Sequence, residues 1–428
     1  MQIPHTMYTL DNGLTVILHR DETQPMAVVN INVQVGSRDE AAGRTGFAHL
    51  FEHLMFMGTT RVPTQKYDQW MEAEGGWNNA WTSTDRTNYY DVAPSHALPL
   101  LLWMEADRML TLGREIDQAK LDVQREVVRN ERRQELENQP YGQITLRLPE
   151  LLFTDEHPYG HPVIGSHEDI AAATVQDVRS FFAEYYVPSN ASLVVAGDFD
   201  ESALRAQIER YFGGWEAKAA PIRRTPNRTP RLDGVVRETI EDQVTLSKIV
   251  MAWHSPALMD PGDAELDLVA TLMSRGKSSR LYHNLVYEQR IAQSVSVYQA
   301  SRKLSSYFCI QVTVRPGIDL PRVEAAVDAE LQKLRDQAPE VVELERARMN
   351  YEMGLVSQLQ SLENRASLLN MAYAETGDPS WATRDLERYH QISPESVQQT
   401  VCDVLDPNKR VILHVVPASE TGTDGELA

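Results

Sequence analysis

TGFAHLFEHLMFMGT, residues 45–59, is the stretch that decides what this chain can be. It predicts a helix that Thr45 caps and Gly58 ends, because no proline interrupts the run. His49 and His53 are four positions apart, so both imidazoles project from one face of that helix, one turn apart. This separation suits two ligands of a single Zn²⁺.

Glu52 supplies the third chemical group of the same stretch. It lies three residues after His49, at the edge of the face that carries both histidines. A carboxylate in this place can act as the general base that takes a proton from an attacking water. The order His-x-x-Glu-His is an inverzincin signature, the reverse of the commoner His-Glu-x-x-His. The alternative interpretation is a buried helix whose histidines are only hydrogen-bonded.

The residues around these three groups point to a family. This stretch resembles the pattern Gly-x-Ala-His-x-x-Glu-His-x-x-Phe-x-Gly-Thr of the pitrilysin-type zinc peptidases. The matching residues are Gly46, Ala48, His49, Glu52, His53, Phe56, Gly58 and Thr59. That group includes insulin-degrading enzyme and mitochondrial processing peptidase. The resemblance implies an α+β fold of two homologous α/β-sandwich halves, each a mixed, mainly antiparallel sheet with helices packed on one face. Together the two halves would form half of a clam-shell peptidase.

Bulk composition excludes several classes of protein. The chain has 428 residues, of which 42% are hydrophobic and 24% charged, a globular composition. A net charge of −20 argues against a nucleic-acid partner, because phosphate binding needs a basic surface. No run of eighteen apolar residues exists, so no membrane span is expected. The N-terminus shows no leader, which predicts a cytoplasmic protein, or a periplasmic one if a leader was removed before this numbering.

A change of composition at residues 217–234, rich in proline and arginine, predicts a linker between two domains. The expected domains are a zinc-binding active repeat at 1–216 and an inactive homologous repeat at 235–428. A shift of 219 positions superimposes the helix, proline and apolar strand that end each half. The same shift places His49, Glu52 and His53 on Leu268, Thr271 and Leu272. The second repeat therefore lacks the groups that bind metal.

A catalytic zinc site needs a third protein ligand, which is expected from a charged helix at about residues 116–137. Spacing alone leaves four candidates on that helix, namely Glu126, Glu131, Glu135 and Glu137. The segment QREVVRNE at 124–131 resembles the family's Glu-Arg-x-Val-Val-x-x-Glu, whose last glutamate is the ligand, and the resemblance thereby selects Glu131. Gln124 stands where the family usually has a supporting glutamate, so it can hydrogen-bond without adding charge. One Zn²⁺ per chain is expected.

The segment GGWNNAWTS at 75–83 resembles the edge strand on which the family binds extended peptides by β-augmentation. Asn79 and Ala80 match the family's Asn-Ala pair and are the expected substrate-binding residues. The alternative is an ordinary strand whose edge is covered.

One part of the family's machinery is missing. Self-sufficient members carry an arginine and a tyrosine in the second half that support the substrate carbonyl and the developing oxyanion. Val286 and Gln293 occupy those positions here. The resemblance therefore implies the zinc-bearing subunit of a processing-peptidase-like metalloendopeptidase, which hydrolyses extended or unfolded peptides in a heterodimer with a homologous subunit that carries the Arg/Tyr pair. The alternatives are a catalytically inactive core-type structural subunit with the same fold and, more weakly, a zinc hydrolase of something other than peptides.

Overall fold

A computed structural model describes residues 2–153, 157–223 and 232–418. The chain forms two compact units, each assembled from separate segments. The first unit contains Met1–Arg132, His161–Thr225 and Glu352–Arg388, and the second contains Arg133–Gly160, Pro226–Tyr351 and Tyr389–Ala428. In the part of the chain that is described, no helix is long and apolar enough to cross a membrane.

The first unit is built on a six-stranded sheet with the order β1-β2-β6-β3-β5-β4. Its strands are β1 (Thr6–Thr9), β2 (Thr15–Arg20), β3 (Met26–Val33), β4 (Trp77–Thr82), β5 (Thr87–Pro94) and β6 (Ala191–Gly197). β2 and β6 pair in parallel, and every other neighbouring pair is antiparallel. The Asn-Gly turn at residues 12–13 joins β1 and β2, as that dipeptide predicts.

The second unit repeats this arrangement with a five-stranded sheet of order β7-β11-β8-β10-β9. Its strands are β7 (Val236–Asp242), β8 (Lys248–Ser255), β9 (Ala292–Ala300), β10 (Ser306–Val314) and β11 (Val411–Pro417). Here β7 and β11 are the parallel pair, and the other neighbours are antiparallel. The order and directions match those of β2-β6-β3-β5-β4, which confirms the expected pair of mixed, mainly antiparallel sheets.

Helices connect and cover the strands. In chain order they are α1 (Phe47–Leu54), α2 (Lys66–Ala73), α3 (Leu98–Glu115), α4 (Gln118–Glu131), α5 (Gln143–Leu152), α6 (His167–Ala172), α7 (Val175–Tyr185), α8 (Glu201–Phe212), α9 (Asp263–Ser274), α10 (Leu320–Asp336), α11 (Val341–Leu359), α12 (Leu362–Thr376), α13 (Trp381–Arg384), α14 (Leu386–Gln391) and α15 (Pro394–Val404). The positions that the shift of 219 pairs with the two histidines, Leu268 and Leu272, lie buried on α9.

The two units differ from the predicted halves because Glu352–Arg388 belongs to the first unit and Arg133–Gly160 to the second. α12, from the second half of the sequence, packs on β6 and β3 of the first sheet, and α5, from the first half, packs on β11 of the second. Buried polar groups fix α12 in place: Asn370 donates to the Asn30 side chain at 2.6 Å and accepts from the Ser192 hydroxyl. Helices from both halves of the sequence therefore pack on the first sheet. Residues 224–231 of the predicted linker at 217–234 lie outside the described residues.

The ends of two predicted helices are corrected. α1 begins after Gly46, which has the left-handed φ of 84° that glycine tolerates, so Gly46 and not Thr45 is the N-cap. α1 also ends at Leu54, one turn before Gly58. The charged helix at 116–137 is α-helical only as α4, and a π-helical turn continues it over Arg132–Glu137. Such turns are frequent at functional sites.

Candidate metal centre

The start of α1 is held by two carboxylates. Glu40, which is fully buried, accepts hydrogen bonds from the backbone N–H groups of Gly46 and Ala48, each at 2.8 Å. Asp169 accepts from the backbone N–H and the hydroxyl of Thr45. Negative groups are favourable here because free N–H groups and the helix dipole make the N-terminus positive. These contacts fix the position of the helix that carries both histidines.

The structure brings the three expected metal ligands together. Nε2 of His49 lies 3.5 Å from Oε1 of Glu131, and Nε2 of His53 lies 3.1 Å from Oε2 of the same carboxylate. Ligand atoms of all three side chains lie within 4.8 Å of one another, and theirs is the one such His/Cys/Asp/Glu group found among the described residues. Tetrahedral zinc with ligand bonds of about 2.0–2.2 Å separates its ligand atoms by roughly 3.3–3.5 Å. The donor set and its spacing therefore fit Zn²⁺ with one position left open.

The protonation of the two imidazoles differs. Burial, followed by the neighbouring charge of His53, lowers the pKa of His49 to about 4, so this ring is neutral at physiological pH. Burial also acts against the charged form of His53, but the hydrogen bond and the charge of Glu131 prevail and raise the pKa of His53. At Glu131, burial acts to raise the pKa of the carboxyl. The hydrogen bond with His53 and the charges of both imidazoles outweigh burial, and the pKa is lowered. Glu131 thus favours the protonated form of His53, from which a metal ion would have to displace the proton.

Glu52 lies on α1 beside the cluster and is 8% exposed. Burial raises the pKa of its carboxyl, and a hydrogen bond from the Thr82 hydroxyl opposes that rise. Gln124 lies on α4, two turns before Glu131, and its amide donates to the sulfur of Met57 at 2.7 Å. Contact with Gln124 also contributes to the raised pKa of His53. Gln124 therefore lies beside His53 without adding charge.

The two expected substrate-binding residues lie on a free edge. β4 is the outermost strand of the first sheet, and among the described residues it pairs only with β5. Beyond the end of β4, the backbone N–H of Ser83 donates to the carbonyl of Arg86, which makes a hydrogen-bonded pair. Because such pairs alternate in an antiparallel ladder, the backbone groups of Thr82 and Ala80 point away from β5, towards the open edge. The N–H of Ala80 instead meets the side-chain oxygen of Asn79 at 2.8 Å.

The two positions at which the Arg/Tyr pair is missing lie in the second unit. Val286, in a π-helical turn at Tyr282–Glu288, packs against the core of that unit. Gln293 is exposed on β9. Neither side chain can take the place of an arginine or a tyrosine as a hydrogen-bond donor of the same reach.

Sequence reasoning missed Thr82, which contacts Glu52, and Arg108, which is buried on α3. Thr82 is the clearer of these. It lies two residues after Ala80 on β4, and because alternate residues of a strand share a face, this spacing could have identified it from the sequence. Arg108 is buried and lies 4.8 Å from the ring centroids of Phe56, Tyr67 and Tyr89. Its partner Glu105 is three residues earlier on α3. No spacing rule links Arg108 to these rings, which come from separate elements.

Known proteins resemble this chain in sequence and in fold. Residues 15–165 match a family model described as insulinase (peptidase family M16), and residues 172–351 match one described as the peptidase M16 inactive domain. Zinc protease PqqE of Helicobacter pylori is 29% identical over 370 residues, which cover 85% of this chain and 82% of that protein. A probable mitochondrial-processing peptidase subunit beta of Schizosaccharomyces pombe is 25% identical over 386 residues, 86% of this chain and 82% of that protein. The crystal structure of a protease from Helicobacter pylori superimposes with a TM-score of 0.90 at 26% identity, covering 97% of this chain and all of that one.

Proposed function

We propose that this chain, which belongs to peptidase family M16, is the zinc-bearing subunit of a metalloendopeptidase that cuts extended peptides and depends on a homologous partner subunit. The observation that carries the proposal is the convergence of His49, His53 and Glu131, with Glu52 buried beside them. A subunit kept only for its fold has no need of all four groups.

His49, His53 and Glu131 would hold the zinc ion. When bound, zinc is a Lewis acid that polarises a scissile carbonyl and acidifies water. Glu52 would accept the proton of the attacking water and later pass it to the leaving amine. Its buried position favours this exchange, because a carboxylate with a raised pKa is a stronger base for the proton of the attacking water.

The free edge of β4 would hold the peptide. An extended chain placed alongside β4 could exchange main-chain hydrogen bonds with Ala80 and Thr82, whose backbone groups point to that edge. In the free protein the side-chain oxygen of Asn79 accepts a hydrogen bond from the N–H of Ala80. A carbonyl of the bound peptide would take the place of that oxygen. Such recognition depends on the main chain of the peptide and accepts only unfolded or extended segments.

The partner would supply the groups that stand in place of Val286 and Gln293. Losing one oxyanion donor typically costs about 10²–10³ in rate. Two copies of this chain cannot restore groups that neither copy has. We therefore infer a heterodimer rather than a homodimer for the active form.

The test is cleavage of an unfolded peptide by this chain alone, by a homologous subunit that carries the Arg/Tyr pair, and by their mixture, at equal zinc occupancy. The mixture should exceed the sum of the separate rates by at least about a hundredfold. Changing the partner's arginine to alanine should remove most of the gain. A mixture that is no faster than either chain, with zinc bound, would favour the inactive structural subunit, and full activity of this chain alone would refute the need for a partner.

A further inference from the structure

We propose that Thr82 is the positioning residue for the general base: its hydroxyl holds the Glu52 carboxylate and ties that carboxylate to the strand on which a peptide would bind. This inference rests on the proposed function, because it assigns a role within the same site. It concerns a residue that touches the base and not the reacting atoms.

The hydrogen bond is specific. Oγ1 of Thr82 donates to Oε2 of Glu52 at 2.5 Å. Within residues 2–153, 157–223 and 232–418, no other group donates a hydrogen bond to the Glu52 side chain. A carboxylate with a single donor is free to rotate once that donor is removed. The orientation of Glu52 therefore depends on Thr82.

The backbone around Thr82 is firmly held. Thr82 pairs with Thr87 in the last rung of the β4–β5 ladder, and the next pair closes with the Ser83–Arg86 hydrogen bond of 2.8 Å. Threonine is also branched at Cβ, which restricts χ1. A rigid strand end and a restricted side chain place the hydroxyl within a small volume.

The proton of Thr82 is directed to Glu52 by its surroundings. The nearest other hydroxyl, that of Thr87, lies 3.4 Å away, beyond the usual distance of an O–H···O hydrogen bond. Thr87 gives its own proton to the carbonyl of Val35 at 2.9 Å, so it offers Thr82 only an acceptor. An ionised carboxylate is the stronger acceptor and lies closer. The pair thus has one favourable arrangement.

The same residue faces the peptide edge. The backbone groups of Thr82 point towards the open side of β4, while its side chain points to Glu52. A peptide strand that bonds to Ala80 and Thr82 would therefore be held by the residue that orients the base. This arrangement would fix the position of the scissile bond relative to the base. That position matters because a displacement of about 1 Å can cost about 10²-fold in rate.

The experiment compares Thr82→Val, which keeps the shape and loses the donor, with Thr82→Ser, which keeps the donor. Thr6→Val is the matched control, because Thr6 lies on β1 at the opposite edge of the sheet and its hydroxyl also faces a glutamate, with Oγ1 3.4 Å from Oε1 of Glu201. With the partner subunit present, Thr82→Val should lower kcat about 10- to 100-fold, with KM within about twofold and zinc content unchanged. Thr82→Ser should recover most of kcat, and Thr6→Val should match the wild type.

Crystal structures of the zinc-loaded variants give a second readout that needs no activity. Glu52 should leave its position in Thr82→Val and keep it in Thr82→Ser. Glu52 unmoved in Thr82→Val, or a kcat equal to that of Thr6→Val, would overturn the role of Thr82. A wild-type chain that stays inactive with every partner would instead refute the proposed function, and the crystallographic comparison would still decide whether Thr82 orients Glu52.

Discussion

Nε2 of His53 lies 3.1 Å from Oε2 of Glu131, so a residue of α1 and the last residue of α4 meet at one point. Nearby, His49 and His53 stand edge to face with ring centroids 4.7 Å apart. Two helices that are distant in sequence thus present three ligand atoms to one point. The predictions below follow from this cluster and from the packing that holds it.

Zinc content is expected to be one ion per chain. His49→Ala and Glu131→Ala should each lose the metal, because either change leaves two protein ligands where catalytic sites use three. His96→Ala is the control, since the His96 side chain is 68% exposed and lies outside the cluster. Elemental analysis of folded, reconstituted protein makes the measurement. Full zinc content in Glu131→Ala would exclude Glu131 as a ligand.

Glu52→Gln should separate the base from the ligands. The amide cannot accept the proton of the attacking water, so hydrolysis by the assembled enzyme should fall by about 10²–10⁴. Zinc should stay bound, because Glu52 is not among the three ligands. Peptide cleavage and metal content are measured on the same preparation. Loss of the metal to the extent expected for Glu131→Ala would contradict this assignment of roles.

Zinc binding should release a proton from His53. The pKa of His53 is raised in the metal-free protein, since Glu131 outweighs the effect of burial, and zinc requires the neutral ring. Zinc affinity should therefore rise with pH until the pH passes the raised pKa of His53, and then level off. His49 should add no proton above about pH 5, because its pKa is lowered to about 4. Calorimetry in two buffers of different ionisation enthalpy counts the protons. An equal count at about pH 6 and about pH 9 would contradict the prediction.

Asn370→Ala should destabilise the first unit. Asn370 is fully buried on α12, and its removal leaves the Ser192 hydroxyl without its acceptor and takes one of two donors from the Asn30 side chain, which keeps its hydrogen bonds with Asn88. An unpaired buried polar group of this kind costs about 1–3 kcal/mol, so the free energy of unfolding should fall by roughly that amount. Asn364→Ala, at an exposed position of the same helix, should change it by less than about 0.5 kcal/mol. Urea unfolding compares the two variants, and equal midpoints would show that the network does not hold α12.

Local features of the fold and of the site followed from the sequence. The spacing of His49 and His53 predicted a shared helix face, because the turn of a helix is set by neighbouring residues. The Asn-Gly pair at residues 12–13 predicted its hairpin for the same reason. The shift of 219 indicated a repeated arrangement of elements, and the two sheets have the same strand order. The predicted N-cap of α1, Thr45, was wrong. Glu40, which lies outside the stretch, accepts hydrogen bonds from the free N–H groups at the start of the helix, and the Thr45 hydroxyl donates to Asp169 instead.

The sequence by itself determined the kind of chemistry, because two histidines and one glutamate lie within about one turn of a helix and their spacing sets which face they share. Only the tertiary structure decided which distant groups join them. Spacing left four glutamates open as the third ligand, and packing of α4 against α1 brings Glu131 to the histidines. Packing likewise brings Thr82 to Glu52 and places α12 on the sheet of the other half. The physical reason is that backbone periodicity acts over a few residues, whereas contacts between distant residues are set by how whole elements bury their faces.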